Sequence, residues 1–282
     1  MTGTLRLPEP TWFVGCGNMG GAILDGWRTG GLDLSPVTVI RPSGKPVEGT
    51  RVVTSVVEAG APPKVVVLAF KPQKLDEVAP ELRRFISAKT TIFSLLAGVE
   101  AASLRQRFPG VGAIVRAMTN LPVAVRRGVT GLYSPDADGQ VQEELNNLFS
   151  ALGFAMWMAD EHKLAALGAV AGAGPAYVAR FVAALAKAGV KCGLTQEIAS
   201  TLALETVLGT AWMAVTAGES MDSVAKRVAS PNGTTEAGLA VLDHDYVLDQ
   251  LVALTIDAAA RRGAELAEEA KGALLAEDAR LP

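Results

Sequence analysis

The stretch Thr11-Trp12-Phe13-Val14-Gly15-Cys16-Gly17-Asn18-Met19-Gly20-Gly21-Ala22-Ile23 decides the fold of this chain. A short apolar run meets glycines at the spacing G-x-G-x-x-G, and a helix-like segment follows. In such a turn the first glycine permits a tight reversal, the second lets the backbone approach a pyrophosphate, and the third lets helix and strand pack closely. The amides at the helix start then face the phosphate charge. With 29 glycines in the chain, the spacing alone says little. What gives it weight is its place, opening the first βα unit of an alternating pattern. Gly15, Cys16, Gly17, Asn18, Met19 and Gly20 are therefore expected to border a dinucleotide.

Outward from that turn, short β-branched runs alternate with helix-like segments, as in a parallel α/β sheet. Strands are expected at Trp12–Val14, Val37–Ile40, Val65–Phe70, Thr91–Leu95 and Gly112–Val115. The continuously apolar run Val65–Phe70 suits a central strand covered on both faces. Val129–Tyr133 and Phe154–Met158 read as further strands around a helix near Val141–Ala151, and Arg41–Arg51 reads as a loop. From about Asp160 the pattern becomes helical, with Ala176–Ala188, Gln196–Ala217 and Val247–Ala267 as examples. Their Ala/Leu/Val stripes are broad, which fits either a single-chain bundle or one that buries its apolar face against another subunit. The fold class is thus an α/β N-terminal Rossmann domain with a mostly parallel doubly wound sheet, over 1–159, and an all-α C-terminal domain over 160–282.

The turns after the strands carry the cofactor expectations. An NAD site usually has Asp or Glu at the end of the second strand, whereas NADP sites favour a cation there. Here Arg41-Pro42-Ser43-Gly44-Lys45 follows Ile40, with no acid before Glu48. Arg41 can stack on adenine and pair with a 2′-phosphate, helped by Ser43 or Lys45. NADPH is the expected cofactor, with NADH left open. Ligands of open α/β sheets lie beyond the carboxyl ends of strands. That directs Ala69, Phe70, Lys71 and Pro72, and after the next strand Ala97 and Gly98, toward the cofactor.

Net charge is −3, so no basic stripe argues for nucleic acid or an anionic membrane. No signal peptide is visible, and the Ala-rich segment Leu164–Leu185 is interrupted by Pro175 and Arg180, so no membrane span is expected. A cytoplasmic enzyme is the resulting expectation. Two cysteines and two histidines offer neither a disulfide framework nor zinc-like spacing, and no metal is expected. The reactive group should therefore come from a cofactor.

Taken together, ordered blocks resemble the pyrroline-5-carboxylate reductases from Phe13 to about Leu242. Besides Phe13–Gly20 they are Phe70-Lys71-Pro72-Gln73, Ser94-Leu95-Leu96-Ala97-Gly98-Val99, Arg116-Ala117-Met118-Thr119-Asn120-Leu121-Pro122, Gly172-Ala173-Gly174-Pro175-Ala176-Tyr177 and Ser230-Pro231-Asn232-Gly233-Thr234-Thr235. The resemblance implies a helical domain that intertwines with a second subunit, giving a homodimer or a higher oligomer. It implies reduction of 1-pyrroline-5-carboxylate to L-proline, the last step of proline biosynthesis. Asn120, in a matched block, joins the expected cofactor contacts. The substrate is implied to lie between the nicotinamide and a loop formed by Ser230, Pro231, Asn232, Gly233, Thr234 and Thr235, with Thr235 as the catalytic residue near the ring nitrogen. The chain departs from the family pattern at Thr119 (usually Pro), Leu121 (Thr), Ala171 and Ala173 (Ser), and Asn232 (Gly).

A protonated cyclic imine is electrophilic without a strong enzymic acid, which agrees with the lack of histidine in these blocks. Thr235, or water held by it, is expected to orient or protonate the nitrogen. Other readings are a reductase of another cyclic imine, such as 1-pyrroline-2-carboxylate or the six-membered homologue, or a non-catalytic NADP-binding regulator. Read on its own, Thr235 also suits a helix N-cap.

Overall fold

The structure is a computed structural model that describes residues 5–278, with side chains through residue 270. The expected domain ends at 1–4 and 279–282 lie outside the described residues.

The first half builds β1 (Thr11–Val14), α1 (Asn18–Thr29), β2 (Val37–Ile40), β3 (Arg51–Val53), β4 (Val65–Leu68), α2 (Leu75–Leu82), β5 (Thr91–Ser94), α3 (Ala101–Arg107) and β6 (Ala113–Thr119). After it come β7 (Gly128–Tyr133), α4 (Gly139–Ser150) and β8 (Gly153–Trp157). One eight-stranded sheet results, in the order β3-β2-β1-β4-β5-β6-β7-β8. Among the described residues only the β6–β7 pairing is antiparallel. The 3-2-1-4-5-6 portion is the doubly wound order, in which the order of successive strands reverses beside β1 while their direction stays the same.

Alternation along these strands feeds two cores. Phe13, Val67, Phe93 and Val115 join Ile23 and Trp27 of α1 and Phe149 of α4 on one face. Trp12, Val66, Ile92 and Ile114 join Leu75, Leu82 and Leu104 from α2 and α3 on the other. Covered on both sides, the central strands need the apolar composition seen in Val65–Leu68. That strand is two residues shorter than its apolar run, although the Ala69 N–H still donates to the Val14 carbonyl of β1 at 2.8 Å. β3 was not expected. Its three residues carry the exposed Arg51 and a half-buried Val52, and they lie at the sheet edge, where no apolar run is required.

Residues 160–278 are helical, as the composition suggests. They form α5 (Glu161–Leu167), a π-helical turn at Gly168–Gly172, α6 (Gly174–Lys191), α7 (Gln196–Ala217), α8 (Met221–Val228), α9 (Thr234–Asp243) and α10 (Val247–Asp278). By contact density the described residues form two compact units, 5–173 with 259–278, and 174–258. The break in contacts therefore falls later than the change in composition at Asp160. Gly131 of β7 explains the difference, since a Cβ there would lie 2.7 Å from Leu167 and 3.0 Å from Leu164 of α5. The first helical segment stays on the sheet.

Within the second unit, α6 and α7 meet through small residues, with Ala186, Ala199 and Ala203 buried beside Val182. Much of their remaining apolar surface is open: Phe181, Leu202, Leu204, Leu208, Trp212 and Val215 are all exposed. Glu161–Lys191 and Gln196–Ala217 are long and apolar enough to cross a membrane by length and composition, which the sequence reading did not expect. Pro175 accounts for the first of these. It sits at the second position of α6, where a missing N–H costs the helix nothing, so it does not interrupt the run.

Candidate active site

The three glycines of the N-terminal turn serve different physical ends. Gly15 has φ +79°, and a Cβ there would lie 2.7 Å from the Ala69 carbonyl oxygen. Gly20 packs α1 against the residue that follows β4, its would-be Cβ 3.2 Å from that of Ala69. Gly17 differs, because it has an ordinary φ of −85° and nothing within 4 Å of where a Cβ would be. The protein itself has no need of glycine at 17. The open space lies at the N-cap of α1, where no side chain caps the amides. A pyrophosphate fits that cradle, with its charge on the free N–H groups. Gly17 and Asn18 are exposed, while Cys16 and Met19 are half-buried and pack against the α1-side core.

Burial pushes the Cys16 thiol above its ordinary range, and the charge of Arg41 pulls the other way. Cys16 is therefore a neutral thiol near pH 7, and Arg41 lies close enough to the glycine turn to act on it. The Arg41 backbone is pinned, its N–H donating to the Val53 carbonyl at 3.0 Å and its carbonyl accepting from Gly44 at 3.0 Å. Among the described residues its guanidinium has no carboxylate partner. Glu48, the next acid, is 3.3 Å from Arg28. Ser43 and Lys45 are exposed in the same loop, where the Lys45 amide donates to the Ser43 hydroxyl at 3.4 Å.

Sequence reasoning missed the neighbour of this loop. Thr54, just after β3, comes within 3.4 Å of where a Gly44 Cβ would be. Hydroxyls of Thr54 and Ser55 both donate to Glu58, at 3.0 and 2.8 Å, and hold its carboxyl below the usual range. The Thr-Ser-x-x-Glu spacing was the available signal, and the three-residue edge strand before it hid the context.

Ala69, Phe70, Lys71 and Pro72 form the turn leaving β4, with Lys71 exposed and the other three half-buried. Ala97 is exposed at the turn leaving β5. Gly98 was expected to make room for a cofactor. Instead its φ is +75°, and a Cβ there would lie 2.9 Å from the Leu266 backbone of α10, so the chain's own last helix takes that space. Asn120 likewise commits its side chain to the fold. Its amide nitrogen donates to the Ala171 carbonyl in the π turn at 2.9 Å, and its oxygen accepts from the Val129 N–H at 2.9 Å. Next to it, Thr119 pairs its buried hydroxyl with that of Thr130 at 2.7 Å, which gives the departure from proline a partner.

In the second unit, Ser230–Gly233 is a β-turn closed by the Gly233 N–H on the Ser230 carbonyl at 3.0 Å. Pro231 takes its second position and Asn232, at φ +56°, its third. A left-handed third residue is the type II form, which favours glycine and tolerates asparagine. The departure at Asn232 is thereby accommodated by the backbone. The exposed Asn232 also gives its N–H to Glu236 at 2.6 Å, which fixes the turn ahead of α9. Gly233 is the N-cap of α9 and brings no capping side chain, so Thr235 is not the cap. The amides of Thr234, Thr235 and Glu236 stand at the helix start, and both threonine hydroxyls are uncommitted among the described residues. By contrast α4, α5, α7 and α8 all begin on a capping Asp, Thr or Ser. Both histidines are exposed, one in the first turn of α5 and one just after α9.

Comparison with known proteins agrees with this layout. Residues 161–266 match the family described as pyrroline-5-carboxylate reductase dimerisation, and residues 12–98 match that described as NADP oxidoreductase, coenzyme F420-dependent. A pyrroline-5-carboxylate reductase of Pseudomonas aeruginosa is 38% identical over 264 residues, covering 91% of this chain and 96% of that one. The solved structure of a pyrroline-5-carboxylate reductase from Coxiella burnetii is 31% identical with a TM-score of 0.84, over 92% of this chain and 99% of that one. At 24% identity, the Plasmodium falciparum pyrroline carboxylate reductase solved with NADP bound shares the fold, with a TM-score of 0.83 over 94% of this chain and 100% of that one. The chain belongs to the pyrroline-5-carboxylate reductase family.

Proposed function

We propose that this chain reduces 1-pyrroline-5-carboxylate to L-proline with NADPH. The observation that supports it most is the pair of glycine-started helices, α1 and α9, whose open amides suit a pyrophosphate and a carboxylate respectively. When bound, NADPH supplies the hydride that reduces the C=N carbon. The protein's part is to bind, orient and protonate. Gly15–Gly20 holds the pyrophosphate on the amides of α1, and Arg41 pairs with the 2′-phosphate, assisted by Ser43. Ala69–Pro72 and Ala97 border the cofactor at the ends of β4 and β5. The Thr234–Glu236 amides take the substrate carboxylate, and the Thr235 hydroxyl orients the ring nitrogen and relays its proton. No histidine is required, because the cyclic iminium is already electrophilic near neutrality.

Steady-state rates with NADPH against five- and six-membered cyclic imine carboxylates test the reading. 1-Pyrroline-5-carboxylate should give the highest kcat/KM, and a preference for the 2-carboxylate isomer or the six-membered ring would overturn the substrate assignment. Arg41→Asp should raise the KM for NADPH about tenfold or more, since a hydrogen bond to a charged group contributes about 1.5–3 kcal/mol. The KM for NADH should change far less, and equal effects would show that Arg41 does not read the 2′-phosphate.

The exposed Leu, Val and Trp of α6 and α7 lie inside the matched dimerisation region. A surface of that kind is buried by association. The assembly we propose is a homodimer through the helical segment, in the cytoplasm. Light scattering at micromolar concentration should give the mass of two chains or a multiple, and a stable monomer would refute it.

A further inference from the structure

Glu161 opens α5, directly after its N-cap Asp160, yet its carboxylate points away from its own helix. Oε1 accepts from the Arg116 guanidinium at 2.5 Å and from the backbone N–H of Ala101 at 2.8 Å. Arg116 stands in the middle of β6, paired in register with Ser94 at the end of β5, and its side chain is only 11% exposed. Ala101 is the first residue of α3, and the N-cap residue before it brings no capping side chain to that helix. One carboxylate thus ties the middle of β6, beside the end of β5, to the start of α3 and the start of α5.

The element held most directly is the turn Leu96–Glu100. Its Leu96 and Val99 side chains are buried at 3% and 1%, while Ala97 between them is exposed. Leu96 is fixed from the strand side by the Ser94 hydroxyl, 3.3 Å from its N–H. On the helix side, the fixing bond is the one from Ala101 to Glu161. Arg116 and Ala101 both present positive ends to that oxygen, which a neutral side chain would satisfy less well.

We infer that Glu161 and Arg116 are a positioning pair for hydride transfer, holding the turn Leu96–Glu100 at the reactive end of the cofactor. The inference rests on the reductase reading above and adds residues outside both the loop Ser230–Thr235 and the phosphate cradle Gly15–Gly20. Displacement of a reactant by about 1 Å can cost on the order of a hundredfold in rate. Cofactor affinity, set mostly by the pyrophosphate and 2′-phosphate contacts, should survive such a displacement.

The test compares Glu161→Ala, Glu161→Gln and Asp160→Ala in the full-length protein, with NADPH and 1-pyrroline-5-carboxylate. Glu161→Ala should lower kcat by about tenfold to a hundredfold, while the KM for NADPH changes by less than about threefold. Glu161→Gln keeps an acceptor for Ala101 but loses the charge, and should fall between it and the wild type. It carries the test alone if the alanine variant does not fold, because burying an unpaired Arg116 is costly. Asp160→Ala removes the α5 cap, whose carboxylate accepts from Lys163 at 2.7 Å, and touches neither Arg116 nor Ala101. It should lower Tm and leave kcat within about twofold. The inference is overturned if Glu161→Gln retains wild-type kcat, or if both Asp160→Ala and the Glu161 variants lose kcat in proportion to Tm. A wild type that turns over another imine but not this one overturns the substrate assignment separately. A wild type inactive on every imine overturns both.

Discussion

Gly17→Ala should fold normally and bind NADPH at least tenfold more weakly. Position 17 has φ −85°, which alanine adopts without strain, and its Cβ would meet no protein atom within 4 Å. Glycine and alanine at an N-cap differ by up to about 1 kcal/mol, so the melting temperature should fall by no more than a few degrees. The cost should appear instead when the pyrophosphate approaches, because the new methyl stands where the phosphate oxygens must reach the α1 amides. A tenfold loss corresponds to about 1.4 kcal/mol. Gly15→Ala makes the informative contrast. There the φ of +79° and the Ala69 carbonyl at 2.7 Å both oppose a side chain, so stability itself should drop. Thermal melts with fluorescence titration of NADPH separate the two. A Gly17→Ala protein with wild-type affinity would remove the phosphate cradle from this turn.

That contrast also marks what the sequence can reveal. The spacing of Gly15, Gly17 and Gly20 told of a βα turn around a ligand because each glycine acts locally, within a few residues. Arg41 was readable for the same reason, as the first residue past a β-branched strand. Asn120 was read as a cofactor contact from its matched block and Gly98 from its place after a strand, yet their structural partners lie far along the chain, at Ala171 and Leu266. Nothing local encodes those pairings. The Arg116–Glu161 bond spans 45 residues and has no spacing signature either. Edge strand β3 was invisible because an edge demands little apolar sequence. The helical half was legible as helices, since Gln196–Ala217 is helical from its first residue to its last. Its compact unit was not, because α5 looks like the bundle helices while packing on the sheet.

Thr235→Ala should cost at least tenfold in kcat/KM for 1-pyrroline-5-carboxylate and leave NADPH affinity unchanged. The structure removes the simplest alternative, a helix cap, because Gly233 occupies the cap position and Thr235 sits at the second residue of α9. Its hydroxyl makes no hydrogen bond among the described residues, so alanine breaks nothing in the folded chain. Alanine is also the better helix former, and the variant should melt no lower than the wild type. Any loss of turnover then reports on the reaction. A hydrogen bond to a charged ring nitrogen contributes about 1.5–3 kcal/mol, which is roughly tenfold to a hundredfold in rate. Thr235→Ser keeps the hydroxyl and should recover most of that loss. Neither substitution removes the backbone amides proposed to hold the carboxylate, so substrate KM should stay within a few-fold. Were Thr235→Ala to match the wild type with every imine tested, the hydroxyl would have no part in proton delivery. The open amides of Thr234–Glu236 would then be left as an anchor for the carboxylate alone.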